Sequence, residues 1–557
     1  MFFSVQDKVK KNFYEQDRNL QYILQKSLPY HFFEWADQQL YKYGELCANE
    51  IDKRAIHNDR DGQPKLIRYN RMGEEVSEVW LNEGYKKSVE QTYGTGIVGY
   101  IHTEIPELGH KGNYVYAYAL TYLLSMSEPG LACPVTLTKA TAYLVDHYAS
   151  PQLKEKFLPH ILSTGDVELY EGATFLTERQ GGSDVGANQV KAVKDDEHYY
   201  ISGEKYFASN AGACGVAMVL ARIPGAPEGT KGLSLFLVPW EENRKESRLR
   251  IRRLKDKLGV RAVPSGEVEF ENAKAYLVGE ENEGFYYMIE ALNLSRLSNA
   301  VASVGMMRRA FLEAKNYALQ RQAFGKKLTD FPMVQATLSE MVAKQEVETN
   351  ALFKVIQLMD EVMGIETKHY SSKRDQILFR LFVAILKMET AEQAVAFAHK
   401  AIEMHGGNGY IEDFVTPRLL RDAQVLTVWE GTANILGLEV LRLIEKYDGD
   451  QVFAKEMLDQ LSGLGDNKWA DKIKTEISQL NEKLKEIKSL PYDLQTYYSK
   501  NIVKWMVDIF ESIVAIEMLQ ENDERQKVIA EIFLENVWQV QQIIDQPKNL
   551  SHFHKVM

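Results

Sequence analysis

Residues 198–211, HYYISGEKYFASNA, are aromatic and β-branched, and three further short runs follow: 216–223, VAMVLARI; 231–240, KGLSLFLVPW; and 265–279, SGEVEFENAKAYLVG. Gly, Pro and Asn separate these runs, and they read as strand-like segments without intervening helices. The region from about 170 to 280 therefore predicts an antiparallel sheet or small barrel. It argues against a Rossmann unit, in which helices would alternate with the strands.

On both sides of this region the periodicity is helical. Upstream, 114–130, YVYAYALTYLLSMSEPG, ends at a Pro-Gly break, and 137–162 reads as one or two further helices. Residues 1–80 mix helical pieces with a polar, loop-like stretch at 55–75, AIHNDRDGQPKLIRYNRMGEE. Downstream of about 283, three long amphipathic segments predict a four-helix bundle completed by the helices around Glu430. The last hundred or so residues are helical again. Ile473, Ile477, Leu480, Leu484 and Ile487 form one apolar stripe, as expected of a helix packed on its own protein. The expected division is 1–80, an N-terminal extension; 81–170, an α-helical domain; 171–282, a β domain; 283–445, a helical bundle; and 446–557, an additional helical module.

At 557 residues the chain is too long for one ordinary core, and 45% hydrophobic with 26% charged residues is the balance of a globular protein. No apolar run reaches the roughly 18 residues of a membrane span. The N-terminal stretch has no apolar core of a secretory leader, so a cytoplasmic location is expected. Three scattered cysteines and histidines without ligand-like spacing predict no metal site and no disulfide framework. A net charge of -12, and an excess of acidic residues after about 445, disfavour nucleic acid as a partner.

Four constellations carry chemistry. In 174–184, TFLTERQGGSD, a strand end at Leu176-Thr177 is followed by Gly181-Gly182-Ser183, which offers backbone N–H groups and hydroxyls to an acceptor-rich ligand. In 203–210, GEKYFASN, Phe207 offers a flat face and Ser209 a hydroxyl to a flavin-like ring. In 321–328, RQAFGKKL, Arg321 beside a Phe324-Gly325 turn suits a pyrophosphate, since guanidinium pairs bidentately with phosphate oxygens. In 403–435, EMHGGNGYIEDFVTPRLLRDAQVLTVWEGTANI, Gly406 and Gly407 form a turn, and Glu430 sits between Trp429 and Gly431-Thr432. By itself that glutamate reads as a helix-capping residue.

Together these pieces resemble the acyl-CoA dehydrogenase family, over roughly residues 100 to 445. TFLTERQGGSD, GEKYFASN, DKLGVRAVPSGEVEFENA, RQAFGKKL, HGGNGY and WEGT follow the order of that family's motifs. Arg179 and Gln180, together with LKDKLGVR, CPVTLT and VGMMRRAF, place the resemblance in the AidB-like branch, as does the helical extension. The resemblance implies an α+β multidomain fold: an N-terminal α-helical domain, a middle antiparallel β domain, a C-terminal four-helix bundle and here an extra helical module.

It also implies FAD, bound between the β domain and the bundle, and an acyl-CoA substrate. Leu176, Thr177, Phe207, Ser209, Arg321, Phe324, Gly406, Gly407 and Thr432 would contact the cofactor, with Arg321 and Phe324 reaching FAD of a neighbouring subunit. A homo-oligomer, dimer or tetramer, follows. Ser183 and Gly431 would contact the substrate. Glu430 would take the α-proton as hydride passes to flavin N5, giving a trans-2-enoyl thioester, and Arg296 would order the site around it. Desolvation of Glu430 is expected to raise its basicity. The implied acceptor is an electron-transfer flavoprotein or another acceptor. An acyl-CoA oxidase using O₂, and a flavoprotein with a nucleic-acid-binding or stress-response role, are the alternatives. Phe207 replaces the family's Trp, Ser209 its Thr, and Glu403 its frequent Gln.

Overall fold

The computed structural model describes residues 12–196, 198–364, 371–465, 467–538 and 547–557. Residues 1–11, inspected above for a leader, lie outside the described residues. The chain divides into two compact units, Met1–Ser298 and Asn299–Met557.

The first unit opens with helices α1 (Arg18–Ser27), α2 (Tyr30–Leu46) and α3 (Asp52–Arg60). The stretch expected to be a loop at 55–75 is instead the end of α3 and the first strand of a hairpin, β1 (Lys65–Tyr69) with β2 (Glu75–Trp80). Its turn is closed by the Asn70 side chain, which accepts from the amides of Met72 and Glu74. Leu66 and Val79 pack against the core of the larger sheet, while Ile67 and Tyr69 stay exposed. The strands of this hairpin are short and their apolar residues do not alternate cleanly, so the period-2 signal was hidden.

Helix α4 (Glu83–Tyr93), the short β3–β4 pair (Glu104–Ile105 with His110–Lys111), α5 (Tyr114–Ser125), α6 (Pro129–Tyr148) and α7 (Pro151–Ile161) follow. The Pro-Gly pair is the start of α6, where proline's missing N–H costs nothing. Every residue of α5 is buried. Its tyrosines keep their hydroxyls paired: Tyr116 donates to Thr95 O, Tyr118 to Leu294 O and Tyr122 to Asp17.

The β region holds β5 (Gly172–Phe175), β6 (Lys191–Asp195), β7 (His198–Ser209), β8 (Val216–Arg222), β9 (Leu233–Pro239), the short helix α8 (Trp240–Lys245), β10 (Leu249–Leu254) and β11 (Ser265–Val278). Pairings run β8–β9–β11–β7–β6 and back to β8, closing a small barrel, with β10 added on β11 and β5 on β8. Pairing is antiparallel except at β5–β8 and the single β6–β8 pair, which are parallel. Strands β8 and β9 are apolar throughout because both of their faces are buried. Phe175, Val219, Phe236, Val238, Trp240, Val268 and Phe270 fill this core.

Helix α9 (Gly284–Gln320) spans the division. The second unit continues with the two-residue strands β12 (Gln322–Ala323) and β13 (Lys326–Lys327), then α10 (Pro332–Met363), α11 (Lys373–His405), α12 (Thr416–Leu426) and α13 (Ala433–Tyr447). The additional module follows as α14 (Gly449–Ser462), α15 (Lys468–Lys488), α16 (Tyr492–Leu519) and α17 (Glu524–Trp538). The predicted stripe on α15 is buried as expected, with Ile473, Ile477, Leu480, Leu484 and Ile487 all in the core. Phe382 of α11 stacks on Phe510 of α16 with ring centroids 4.3 Å apart. No helix among the described residues is long and apolar enough to cross a membrane.

Candidate active site

In the first unit the TFLTERQGGSD segment leaves β5 and turns back on itself. Glu178 and Gly181 exchange backbone hydrogen bonds across the turn. A Cβ at Gly182 would lie 2.7 Å from the Thr177 hydroxyl oxygen, so only glycine lets the turn close on Thr177. Thr177 is in turn tied to β7, because Tyr206 N–H donates to its carbonyl at 3.0 Å. Ser183 is exposed on the same turn.

Alternation along β7 puts Phe207 and Ser209 on one side of the strand. Phe207 is 55% exposed, a large apolar ring next to the half-buried Tyr206 and the buried Ala208. Ser209 is half-buried and pairs with Ser265 across the ladder. The Lys255 ammonium lies 4.6 Å from the Phe207 ring centroid.

Two residues the sequence reading missed hold this face. The Lys205 ammonium, fully buried, donates to Glu178 at 2.8 Å and to Leu176 O at 3.2 Å. Glu178 also accepts from the amide of Gln189 at 2.6 Å. Burial pushes the Glu178 carboxyl up, but the Lys205 ammonium and the Gln189 amide outweigh it and hold it below the usual range. The signal was available: a lysine in the middle of an aromatic strand, at an inward-pointing position, needs a buried partner.

In the second unit Arg321 follows α9 directly and is exposed, its N–H bonded to Tyr317 O. Phe324, at the tip of the β12–β13 hairpin, is 96% exposed with φ +51°. The Gly406-Gly407 turn ends α11 and is brought close to the end of α9 through Tyr317. The Asn408 amide donates to Tyr317 OH at 3.1 Å, and His405 lies against the Tyr317 ring at 4.2 Å. A Cβ at Gly406 or Gly407 would meet no other atom of this chain within 4 Å, and Gly406 has φ +59°. His405 is buried and bonded to Ala401 O, and burial pushes its pKa down. Glu403 is exposed beside His399.

Between α12 and α13 the chain makes the turn Thr427–Glu430. Val428 N–H and Trp429 N–H both donate to Val425 O, which ends α12. Glu430 then takes φ +59°, and Gly431 φ +103°. A left-handed glutamate is uncommon and costs of order 1–3 kcal/mol, so the surroundings must impose it. Glu430, Trp429 and Gly431 are half-buried and Thr432 is exposed. The residue preceding α13 is Thr432, whose side chain makes no capping hydrogen bond. A third missed residue lies beneath this turn, since the buried Lys387 of α11 donates to Gly431 O at 2.6 Å. Arg296, half-buried, donates to Asn293 Oδ1 at 3.2 Å, one turn earlier on α9.

Each unit by itself carries groups suited to part of a flavin nucleotide. In the first, Thr177 and Ser209 offer hydroxyls and Phe207 an exposed ring. In the second, Arg321 offers an exposed guanidinium, and the Gly406-Gly407 turn leaves its backbone open to close approach.

Three family profiles match the sequence: "Acyl-CoA dehydrogenase, C-terminal domain" over 282–444, "Acyl-CoA dehydrogenase, middle domain" over 173–273, and "Adaptive response protein AidB N-terminal domain" over 4–165. The chain is 31% identical over 492 residues to acyl-CoA dehydrogenase family member 11 of Caenorhabditis elegans, covering 86% of this chain and 78% of that protein. It is 32% identical over 410 residues to the putative acyl-CoA dehydrogenase AidB of Escherichia coli K12, covering 72% of each. The fold is similar to the crystal structure of Caenorhabditis elegans ACDH-11 in complex with C11-CoA, with TM-score 0.84 and 25% identity, covering 98% of this chain and 95% of that one. The chain therefore belongs to the acyl-CoA dehydrogenase family of FAD-dependent oxidoreductases, in its AidB-like branch.

Proposed function

We propose that this protein dehydrogenates an acyl-CoA thioester at its α and β carbons, with Glu430 as the base. The observation that carries the reading is the WEGT turn: a half-buried carboxylate held in a left-handed backbone, between an aromatic side chain and a glycine. Strain of this kind gathers at functional sites. The neighbouring structure in complex with C11-CoA supports an acyl-CoA as the ligand.

FAD, when bound, supplies the acceptor for the β-hydrogen and its electron pair. The protein's own tasks are to grip cofactor and thioester and to remove one proton. Leu176, Thr177, Phe207 and Ser209 would contact the flavin ring, Gly406, Gly407 and Thr432 would let the backbone approach the cofactor, and Arg321 and Phe324 would contact the FAD of a neighbouring subunit. Ser183 and Gly431 border the thioester. Glu430 breaks the α C–H bond and keeps the proton, and Arg296 orders the site.

The exposed Phe324 ring and Arg321 guanidinium support a homo-oligomer, dimer or tetramer, in which both reach a neighbouring subunit's cofactor. Electrons then leave to an electron-transfer flavoprotein or another acceptor. The five-part division at 80, 170, 282 and 445 belongs to this reading.

The purified protein is expected to be yellow. Glu430→Gln should keep its FAD and lose flavin bleaching by acyl-CoA by roughly 10²- to 10⁴-fold, the usual worth of a positioned base. Undiminished anaerobic bleaching in that variant would reject the assignment.

A further inference from the structure

We infer that Lys387 is a positioning residue for the base: by donating to the Gly431 carbonyl it fixes the left-handed turn from which Glu430 projects. This rests on the reading of Glu430 as base.

Lys387 is 1% exposed, on the central helix α11. Burying an ammonium costs several kcal/mol, and a fold that needed only to pack α11 against the turn would place an apolar side chain there. Its 2.6 Å bond to a carbonyl is charge-assisted, about twice as strong as a neutral one. That carbonyl belongs to the residue immediately after Glu430, so the bond fixes the peptide plane that follows the strained φ of +59°.

A second cation on α11 holds the helix into which the turn leads. Arg380, seven residues and two turns before Lys387, donates to Glu439 of α13 at 2.7 Å. Arg442 of α13 also grips Glu439, at 2.7 Å, and these cations outweigh burial to hold its carboxyl below the usual range. One helix therefore anchors both the turn and the helix that the turn leads into. Both anchors follow Glu430 in the chain, one at the next residue and one on the helix beyond it, so the backbone into which Glu430 leads is fixed from Gly431 onward.

The test isolates proton removal. A 3-thia-acyl-CoA carries sulfur in place of the β-carbon, so the α C–H bond can break, its proton passing to Glu430 and its electron pair to the thioester enolate, while dehydrogenation is blocked. The enolate stacked on oxidised flavin absorbs at long wavelength, and the rate at which that band appears is the readout. Lys387→Met is expected to retain FAD and to bind the thia-acyl-CoA within about twofold of wild type, yet to deprotonate it about 10- to 100-fold more slowly, the scale of a misplacement near 1 Å. Lys387→Arg, which keeps charge and donor, should recover part of the rate. If Lys387→Met does not accumulate as a flavoprotein, Lys387→Gln, which stays polar and is too short to span the gap, is judged by the same criteria. A wild-type rate in either variant overturns the inference. So does a loss of rate that comes only with loss of FAD or of ligand binding, since that marks a structural role. A wild-type protein that forms no band, or a Glu430→Gln variant that does, would instead overturn the base assignment and leave the Lys387–Gly431 contact without a catalytic consequence.

Discussion

Ser209 stands where the family pattern has threonine, and Phe207 where it has tryptophan. β7 still presents a hydroxyl at one position and, two residues earlier, an exposed flat ring, the groups that the proposed flavin contacts call for. Residue types and spacing made these positions legible, because a strand's two-residue period fixes the side on which each lies. Backbone conformation was not legible in the same way. Nothing in the letters WEGT states that the glutamate itself takes a left-handed conformation, since a Glu-Gly pair normally leaves that to the glycine. At this scale the Ser209 hydroxyl is expected to contribute one hydrogen bond to the flavin, about 0.5–1.5 kcal/mol. Ser209→Ala should therefore raise the dissociation constant for FAD about 2- to 10-fold in a reconstitution titration, and Ser209→Thr should not. Equal FAD affinity of the alanine variant and wild type would remove Ser209 from the cofactor site.

Elements meet in the first unit around Glu171, the residue before β5. It accepts from Tyr93 of α4 at 3.0 Å, and Gly172 N–H donates to Thr138 of α6 at 2.9 Å. Glu171 is buried, and burial pushes its carboxyl up to about 7 against the pull of hydrogen bonds from Tyr93 and Asn210. An unfolded chain releases this proton near pH 4.3. Between about pH 4.3 and 7 the folded chain therefore holds a proton that the unfolded chain has lost. The resulting stabilisation is present below that window, falls as pH rises through it and is gone above it. Glu171→Gln keeps an acceptor for Tyr93 and cannot ionise, so its Tm should exceed that of wild type at pH 8 and approach it at pH 5. The gain at pH 8 is bounded at roughly 3 kcal/mol. Parallel Tm-against-pH curves for the two proteins would show that Glu171 does not titrate in this range. The element pattern itself was largely readable: long helices from their 3.6-residue period, strands from short apolar runs between glycines and prolines. The β1–β2 hairpin was not, because its place is set by contacts with the larger sheet, where Leu66 and Val79 pack and Ile251 N–H donates to Ser77 Oγ, and its few apolar residues do not alternate.

At the scale of the molecule the additional module is bound to the bundle by buried charge. The Lys344 ammonium of α10 lies 3.1 Å from Glu348, 2.8 Å from Glu389 of α11 and 2.7 Å from Glu511 of α16. The three carboxylates have oxygens within 4.8 Å of one another, a spacing open to a metal ion, but the ammonium already occupies the place among them. Lys504 of α16 adds a second cation at Glu389, 3.3 Å away. Arg525 of α17 grips Glu346 of α10 with two bonds of 2.8 Å. Removing one partner of a buried charge network leaves the others uncompensated, so Lys344→Met should cost about 3–5 kcal/mol in a denaturant titration. Burial holds the Glu348 carboxyl well above its ordinary range despite the nearby ammonium. Glu348→Gln should accordingly cost less than about 1 kcal/mol, the scale of one hydrogen bond. Equal losses in the two variants would contradict a network centred on the lysine.

The sequence by itself determined the family and the order of helical and β regions, and it supplied the residues on which the proposed flavin contacts and the proposed base rest. Those features are local: they depend on residue type, on spacing within an element and on motif order along the chain. The tertiary structure decided what no local pattern encodes. It closed the β region into a barrel by pairing β8 with both β9 and β6, and it set Lys205 beneath the Thr177 turn and Lys387 beneath Gly431. The physical reason is the same in each case. A buried ammonium is tolerable only where the fold supplies its acceptor. Those acceptors lie 27 residues away from Lys205, in Glu178, and 44 away from Lys387, in Gly431.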